Sequence, residues 1–325
     1  MTLFYELLRV SVGQQDCLSR GPSDEEWHEL WDVARRQQLA GICYHGVERL
    51  FEYGLRAPQD VSIDWMADAE QIRENNERTM RRCQLVQRRL AERSLRSAVL
   101  SEQAVASCYP AELQGLLQPA GVELYVDCDV QRIVRIVELT GQPTVHYDRQ
   151  GAVLLEKWAD TPFKLHHEIV FRTNPLRSGA TRRWFRRQAG CLFTPAGGLT
   201  APSQQVALVC RLLAMQRSLM EGCATMRQLV DVYFLLRQLD GRFAPFEGGQ
   251  SLEAAMRSLG IWRLARGLMW VLQQVLLMDR RLMVGSPLES EGRFVLSQVM
   301  SGRHWWTLLC RHPLLTLCNL GGDRV

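Results

Sequence analysis

Near its middle the chain reads Gly121-Val122-Glu123-Leu124-Tyr125-Val126-Asp127-Cys128-Asp129. Apolar residues alternate with other types from position 122 to 126, which is the pattern of a strand with one buried face. Residues two positions apart on a strand point to the same side, so such a strand can present two functional groups together. Other short runs with β-branched or alternating character predict further strands at 98–100, 144–147, 153–155 and 165–172.

The region around this strand has the length and pattern of a compact α/β unit. Residues 130–140 have the character of a crossover helix, and a few strands with one crossover need roughly 75 residues. We therefore predict a small mixed sheet at 97–175, between a helical part at 1–96 and a helical domain at 176–325. A Ser23–Glu26 capping box and an apolar stripe at 225–239 indicate helices on either side. The predicted fold class is α+β.

The composition limits the class of protein. The 325 residues are 46% hydrophobic and 23% charged, with a net charge of +4, which is typical of a globular protein. This charge is too small to indicate DNA or RNA binding by itself. No apolar stretch predicts a transmembrane segment, the start lacks the features of an export signal, and the ten cysteines show no C-x-x-C spacing. We expect a cytoplasmic protein with reduced thiols.

Short motifs follow one another in a fixed order over much of the chain. They are Val99-Leu100-Ser101-Glu102, Tyr109-Pro110, the strand from Gly121 to Val126, His167-Glu168-Ile169-Val170-Phe171, and Arg227-Gln228-Leu229-Val230-Asp231. In order and hydrophobic frame they resemble a family of uncharacterised nucleotidyltransferases found in bacteria, within the polymerase-β-like superfamily. That family carries Lys-Gly, Tyr-Pro, an arginine, a Gly-Asp-x-Asp-Leu-x-Val strand, Glu-x-His and Arg-x-x-x-Asp at these places.

The resemblance implies a nucleotidyltransferase fold and chemistry on Mg²⁺ ions held by converging carboxylates. By this resemblance Glu123 and Glu168 are the candidate catalytic and metal-binding residues. The candidate cofactor-binding residues are Ser101, Glu102 and Tyr109.

Several groups that the family uses are exchanged in this chain. Gly121 stands in place of the first strand aspartate, and Glu123 replaces the second with a longer arm. A catalytic group misplaced by about 1 Å can lower the rate on the order of 100-fold, so these exchanges predict little remaining activity. Glu168 keeps the identity of the third carboxylate. The other exchanges are Ser101-Glu102 for Lys-Gly, Leu117 for the arginine and Val170 for the histidine.

Asp127 and Asp129 form an Asp-x-Asp pair just past the strand and offer another source of ligands. We favour a different role for them, which is to cap the helix that begins near position 130. If catalysis survives, we expect Mg²⁺ to be the cofactor, held by Glu123, Glu168, Asp127 and Asp129; otherwise we expect no cofactor.

Two further patterns have both a structural and a functional interpretation. The basic and aromatic run at 182–187 predicts a helix that buries Trp184 and Phe185, with phosphate or nucleic-acid contact as the alternative. His166 would share a strand face with Glu168, which leaves a metal or acid–base role open.

The helical domain carries two more such patterns. Arg227 and Asp231 lie one helical turn apart and predict a surface ion pair that anchors this domain to the sheet. The Trp-rich tail, with Trp305-Trp306 and Leu314-Leu315, is expected to pack on its own domain, or to form a partner or membrane-interface surface.

We predict from these observations a nucleotidyltransferase-fold protein that has lost catalysis, a pseudoenzyme that acts by binding a nucleoside triphosphate or a protein partner. The alternative is an active Mg²⁺-dependent enzyme that moves a nucleoside monophosphate onto a small molecule or a protein. A second alternative is a structural interaction protein that uses the Trp-rich tail.

Overall fold

The computed structural model describes residues 2–119, 121–141, 144–148, 151–155, 163–169 and 178–301. The α-helices in these ranges are α1 Thr2–Ser11, α2 Asp24–Arg36, α3 Ala40–Glu52, α4 Gln59–Ala91, α5 Ala111–Gln114, α6 Val130–Leu139, α7 Ser178–Arg187, α8 Gln204–Glu221, α9 Met226–Leu239, α10 Leu252–Leu259, α11 Trp262–Leu276 and α12 Glu289–Ser301. The strands are β1 Ser97–Val99, β2 Val122–Val126, β3 His146–Tyr147, β4 Val153–Leu155, β5 Phe163–His166, β6 Thr194–Ala196 and β7 Leu199–Ala201. No helix in the described ranges is long and apolar enough to span a membrane.

The first five strands form one mixed sheet in the order β1-β2-β5-β4-β3. Strands β2 and β5 run parallel, and the other neighbouring strands pair antiparallel. Helix α6 lies between β2 and β5 in the chain, as a parallel pair requires a crossover connection. The predicted α+β class and the mixed sheet are confirmed.

The strand predictions differ in quality along the chain. The bounds of β2 and β4 are those predicted, whereas β5 begins at Phe163 and ends at His166 instead of covering 165–172. Strand β5 begins at Phe163 because the apolar, buried Phe163 and Leu165 alternate with the polar Lys164 and His166. Glu168 therefore lies past the end of the strand, and positions 170–172 lie outside the described residues. The β6–β7 hairpin was not predicted.

The pleat of β2 divides its side chains between the two faces of the sheet. Val122, Leu124 and Val126 pack in an apolar cluster with residues of β5, α6 and the second half of α4. Tyr125, on the other face, packs against the larger apolar cluster that the surrounding helices form. Glu123 lies on the same face as Tyr125, because residues two apart on a strand point to the same side. This face of the sheet meets the C-terminal helices.

Helix ends follow the sequence signals. Ser23 and Glu26 form the predicted capping box at the start of α2, with the Ser23 amide donating to Glu26 Oε2 at 2.9 Å and the Glu26 amide donating to Ser23 Oγ at 3.3 Å. The stripe at 225–239 is helix α9, which begins at a second capping box of Thr225 and Gln228. Each box satisfies backbone donors that a helix start leaves unpaired.

A buried ion network joins α9 to the segment between β1 and α5. Asp231 is 0% exposed, accepts a 2.6 Å hydrogen bond from Tyr109 Oη, and pairs with Arg227 Nη1 at 3.0 Å. Arg227 Nη2 lies 3.7 Å from Glu102 Oε2, and Arg211 Nη1 lies 3.9 Å from Asp231 Oδ2. The predicted Arg227–Asp231 pair exists, but its predicted surface position is wrong. Its contacts join the helical domain to the α/β part, as the anchoring role requires.

We predict that Asp231→Asn lowers the free energy of unfolding by roughly 3–5 kcal/mol, because it leaves the buried Arg227 without its main counter-charge. Urea unfolding of the variant and the wild type measures the difference. The matched control is Asp240→Asn, which removes an exposed carboxylate that pairs with the exposed Arg242 and should change stability little. Equal effects of the two substitutions would contradict the anchoring role.

Candidate functional site

Glu123 lies among cationic side chains that come from two elements. The parallel register pairs Glu123 with Lys164 and Tyr125 with His166, so the polar residues of β5 share a face with Glu123. Around the Glu123 carboxylate, Lys164 Nζ lies 3.9 Å from Oε1 and His166 Nε2 lies 3.7 Å from Oε2. Helix α8 adds Arg217, whose Nη2 lies 3.6 Å from Oε1. We call these four residues the Glu123 cluster.

The charge states in the cluster follow from burial and proximity. Burial acts to raise the pKa of Glu123, but the charges of His166, Arg217 and Lys164 outweigh it and hold this pKa below its ordinary value. Burial lowers the pKa of His166, against the opposing effect of Glu123. The lowered pKa values of Glu123 and His166 favour an ionised carboxylate beside a neutral imidazole near neutral pH.

Glu168 pairs with helix α7 and not with the Glu123 cluster. Its carboxylate lies 3.0 Å from Arg182 Nε and 3.2 Å from Arg186 Nη2. His166, predicted to share a face with Glu168, contacts Glu123 instead, because β5 ends before position 168. The run at 182–187 forms the predicted helix with Trp184 and Phe185 buried.

The two aspartates past β2 have separate partners. Asp129 is the N-cap of α6, as predicted, and its Oδ1 accepts a 2.8 Å hydrogen bond from the Arg132 amide. Asp127 has no part in that cap hydrogen bond and pairs with Arg96, whose Nε lies 3.1 Å from Oδ2.

A cavity of about 430 Å³ lies where the carboxyl ends of β2 and β5 meet. Its lining includes three of the four carboxylates predicted to bind metal, which are Asp127, Asp129 and Glu168, but not Glu123. Each of the three already has a guanidinium or a backbone amide as partner. Within the described ranges, no group of three or more His, Cys, Asp or Glu residues is placed to hold a metal ion. The donors present do not fit a pair of Mg²⁺ ions, which need several oxygen ligands for each metal.

The predicted cofactor-binding residues are buried and contact other residues of the chain. Ser101 Oγ donates to Gln103 Oε1 at 2.7 Å, while Glu102 and Tyr109 belong to the buried ion network. Their contact with a cofactor stays a prediction.

Gly121 has a backbone conformation that explains why it is not replaced easily. Its φ is 129°, in a region that residues with a side chain rarely adopt. An aspartate at this position would be strained unless the backbone before β2 changed. The backbone path before β2 therefore favours glycine over aspartate at position 121.

Sequence reasoning missed two residues of the site. The alternation in Phe163-Lys164-Leu165-His166 could have placed Lys164 beside Glu123. Lys164-Leu165-His166 also matches the Glu-x-His motif, with lysine in place of glutamate. In the observed register, position 164 lies directly opposite Glu123, and position 166 on the same face of β5 also reaches the Glu123 carboxylate. Arg217 has no local signal, because it comes from a helix distant in the sequence.

The comparisons with known proteins identify a family. The model of a family described as uncharacterised nucleotidyltransferase matches residues 23–276, which is well over half of the chain, so the chain belongs to this family. No curated protein and no solved structure matches it.

We predict that His166 makes stability depend on pH. Because its folded-state pKa lies below the ordinary 6.5, the unfolded chain binds the proton more tightly and stability falls as the pH drops below 6.5. Above 6.5 this contribution is fully present. Urea unfolding between roughly pH 5 and pH 7.5 should show a steeper rise in stability with pH for the wild type than for His166→Gln. Parallel curves would contradict the assignment of a neutral, buried His166.

Proposed function

We propose that this member of the uncharacterised nucleotidyltransferase family is catalytically degenerate and acts by binding a nucleotide without transferring it. The observation that carries the proposal is the position of Lys164, which pairs in register with Glu123 on the neighbouring strand. The two residues of β5 that reach the Glu123 carboxylate are Lys164 and His166, so neither of these positions supplies a metal-binding carboxylate.

Electrostatics at the Glu123 cluster disfavours a divalent ion. Lys164 and Arg217 lie within 4 Å of the one carboxylate that such an ion would use. Two unit charges about 4 Å apart interact by on the order of 4 kcal/mol at the effective dielectric near a protein surface. A divalent cation at Glu123 would meet repulsion of this order from each of the two side chains unless they moved away.

The segment after β1 also supports catalytic degeneracy. The family has Lys-Gly there, and this chain has Ser101-Glu102. Glu102 is buried and pairs with Arg227, so a carboxylate takes the place of a glycine that would allow the backbone to approach a phosphate. These exchanges support binding without the metal–triphosphate geometry of a transferase. Family membership supports a nucleotide as the ligand, with a protein partner as the other candidate.

An active Mg²⁺-dependent transferase is the second candidate function. The observation in its favour is that Asp127, Asp129 and Glu168 line one cavity. Metal binding there would require Arg96 to release Asp127, and α7 to release Glu168.

Label transfer distinguishes the two functions. The full chain is incubated with nucleoside triphosphates labelled at the α-phosphate, Mg²⁺ or Mn²⁺ and cell extract, alongside Glu123→Gln and Glu168→Ala. We expect no label on protein or small molecules above the level that the extract alone produces, for all three proteins. We also expect nucleotide binding that EDTA does not weaken.

Transfer by the wild type that Glu168→Ala abolishes would contradict degeneracy and favour the cavity as the active site. Transfer that only Glu123→Gln abolishes would instead locate catalysis at the Glu123 cluster. Absence of nucleotide binding would contradict the proposed ligand and favour a protein partner.

A further inference from the structure

In the Glu123 cluster, the buried His166 imidazole and the partly buried Glu123 carboxylate lie side by side without a hydrogen bond between them. The His166 side chain is 8% exposed, and its Nε2 has no hydrogen-bond partner within the described residues. The nearest side-chain nitrogens among the described residues lie 3.6–3.9 Å from the Glu123 carboxylate, beyond hydrogen-bond distance. Buried polar groups in proteins are nearly always hydrogen-bonded, so His166 Nε2 needs a partner that the described residues do not supply.

The geometry of the gap defines what the partner must offer. Oε1 of Glu123 faces Lys164 and Arg217, and Oε2 faces His166. A group that bridges a carboxylate oxygen and a neighbouring nitrogen from the side must donate to the carboxylate and also interact with the nitrogen. A hydroxyl group can do both, because it has one donor and two acceptor positions. A phosphate dianion offers only acceptors and would be repelled by Glu123.

The two carboxylate oxygens provide two such positions side by side. We infer that the Glu123 cluster binds two adjacent hydroxyl groups of a sugar, as in the ribose of a nucleoside, with the phosphates directed away from Glu123. This inference rests on the proposed function for the identity of the ligand as a nucleotide. It reverses the expected orientation, in which the strand carboxylate would serve the triphosphate through a metal ion.

The cluster is accessible enough for such a ligand. The side chain of Glu123 is 23% exposed and that of Lys164 is 38% exposed. Lys164 also lies 3.6 Å from Asp148 Oδ2, and Arg217 lies 3.8 Å from Glu221 Oε2. Both cations stay within 4 Å of the Glu123 carboxylate, where they can donate to a hydroxyl that Glu123 accepts from.

Nucleosides with and without the two hydroxyls test the inference. Calorimetric titration of the full chain in EDTA uses each of the four ribonucleosides and the matching 2′,3′-dideoxynucleosides. We expect at least one ribonucleoside to bind and its dideoxy analogue to bind about tenfold or more weakly, because the analogue leaves the Glu123 carboxylate and the buried His166 without their bridging hydroxyls. Glu123→Gln should weaken ribonucleoside binding by a similar factor and remove most of the difference between the two compounds.

Control variants separate a local effect from loss of folding. Asp240→Asn removes an exposed carboxylate outside the cluster and should leave both affinities unchanged. If Glu123→Gln does not fold, as judged by circular dichroism, Lys164→Met provides the second variant, with the same expected loss of discrimination. Equal binding of the paired nucleosides would overturn the inference, as would discrimination that neither cluster variant reduces.

Two other results also have a defined meaning. Binding of a triphosphate without binding of any nucleoside would show recognition through phosphate, which overturns the inference and leaves the proposed function standing. Absence of all binding would mean that water alone fills the gap, which overturns both this inference and the proposed ligand.

Discussion

The buried ion network around Asp231 is the interaction on which the arrangement of the sheet and the C-terminal helices depends. Asp231 is fully buried and is satisfied by Tyr109 from the α/β part and by Arg227 one turn earlier on its own helix. Burying the Asp231 carboxylate without these partners would cost several kcal/mol of folding free energy. The partners therefore fix how the α/β part and the C-terminal helices pack against each other. That packing brings α8, with Arg217, over the face of the sheet that carries Glu123.

The division between kept and exchanged family residues follows from this network. Tyr109, Arg227 and Asp231 match the family pattern, and they contact one another in the protein interior. The exchanged positions are those to which the resemblance gives a role toward metal and phosphate, which supports the proposed degeneracy. Glu102 belongs to the network as a counter-charge to Arg227. The residues that match the family pattern thus hold the C-terminal helices against the α/β part.

Local signals in the sequence predicted much of the fold but only part of the site. The alternation in β2 and the capping residues of α2 act over a few positions, so their structure could be predicted closely. The predicted strand at 165–172 begins later than β5, because it follows the match of Glu168 to the family motif and not the alternating run that begins at Phe163. Glu168 was therefore placed on the strand beside Glu123. The approach of Arg217 depends on tertiary packing and leaves no pattern in the sequence.

The central claim is that Lys164 and Arg217 have replaced metal ions as the partners of Glu123. Titration of the full chain with Mn²⁺, followed by electron paramagnetic resonance, tests it most directly, because free and bound Mn²⁺ give different signals. We predict that the wild type and Glu123→Gln have the same Mn²⁺ binding curve, without a stoichiometric tight site. A stoichiometric Mn²⁺ site in the wild type that Glu123→Gln abolishes would contradict the account.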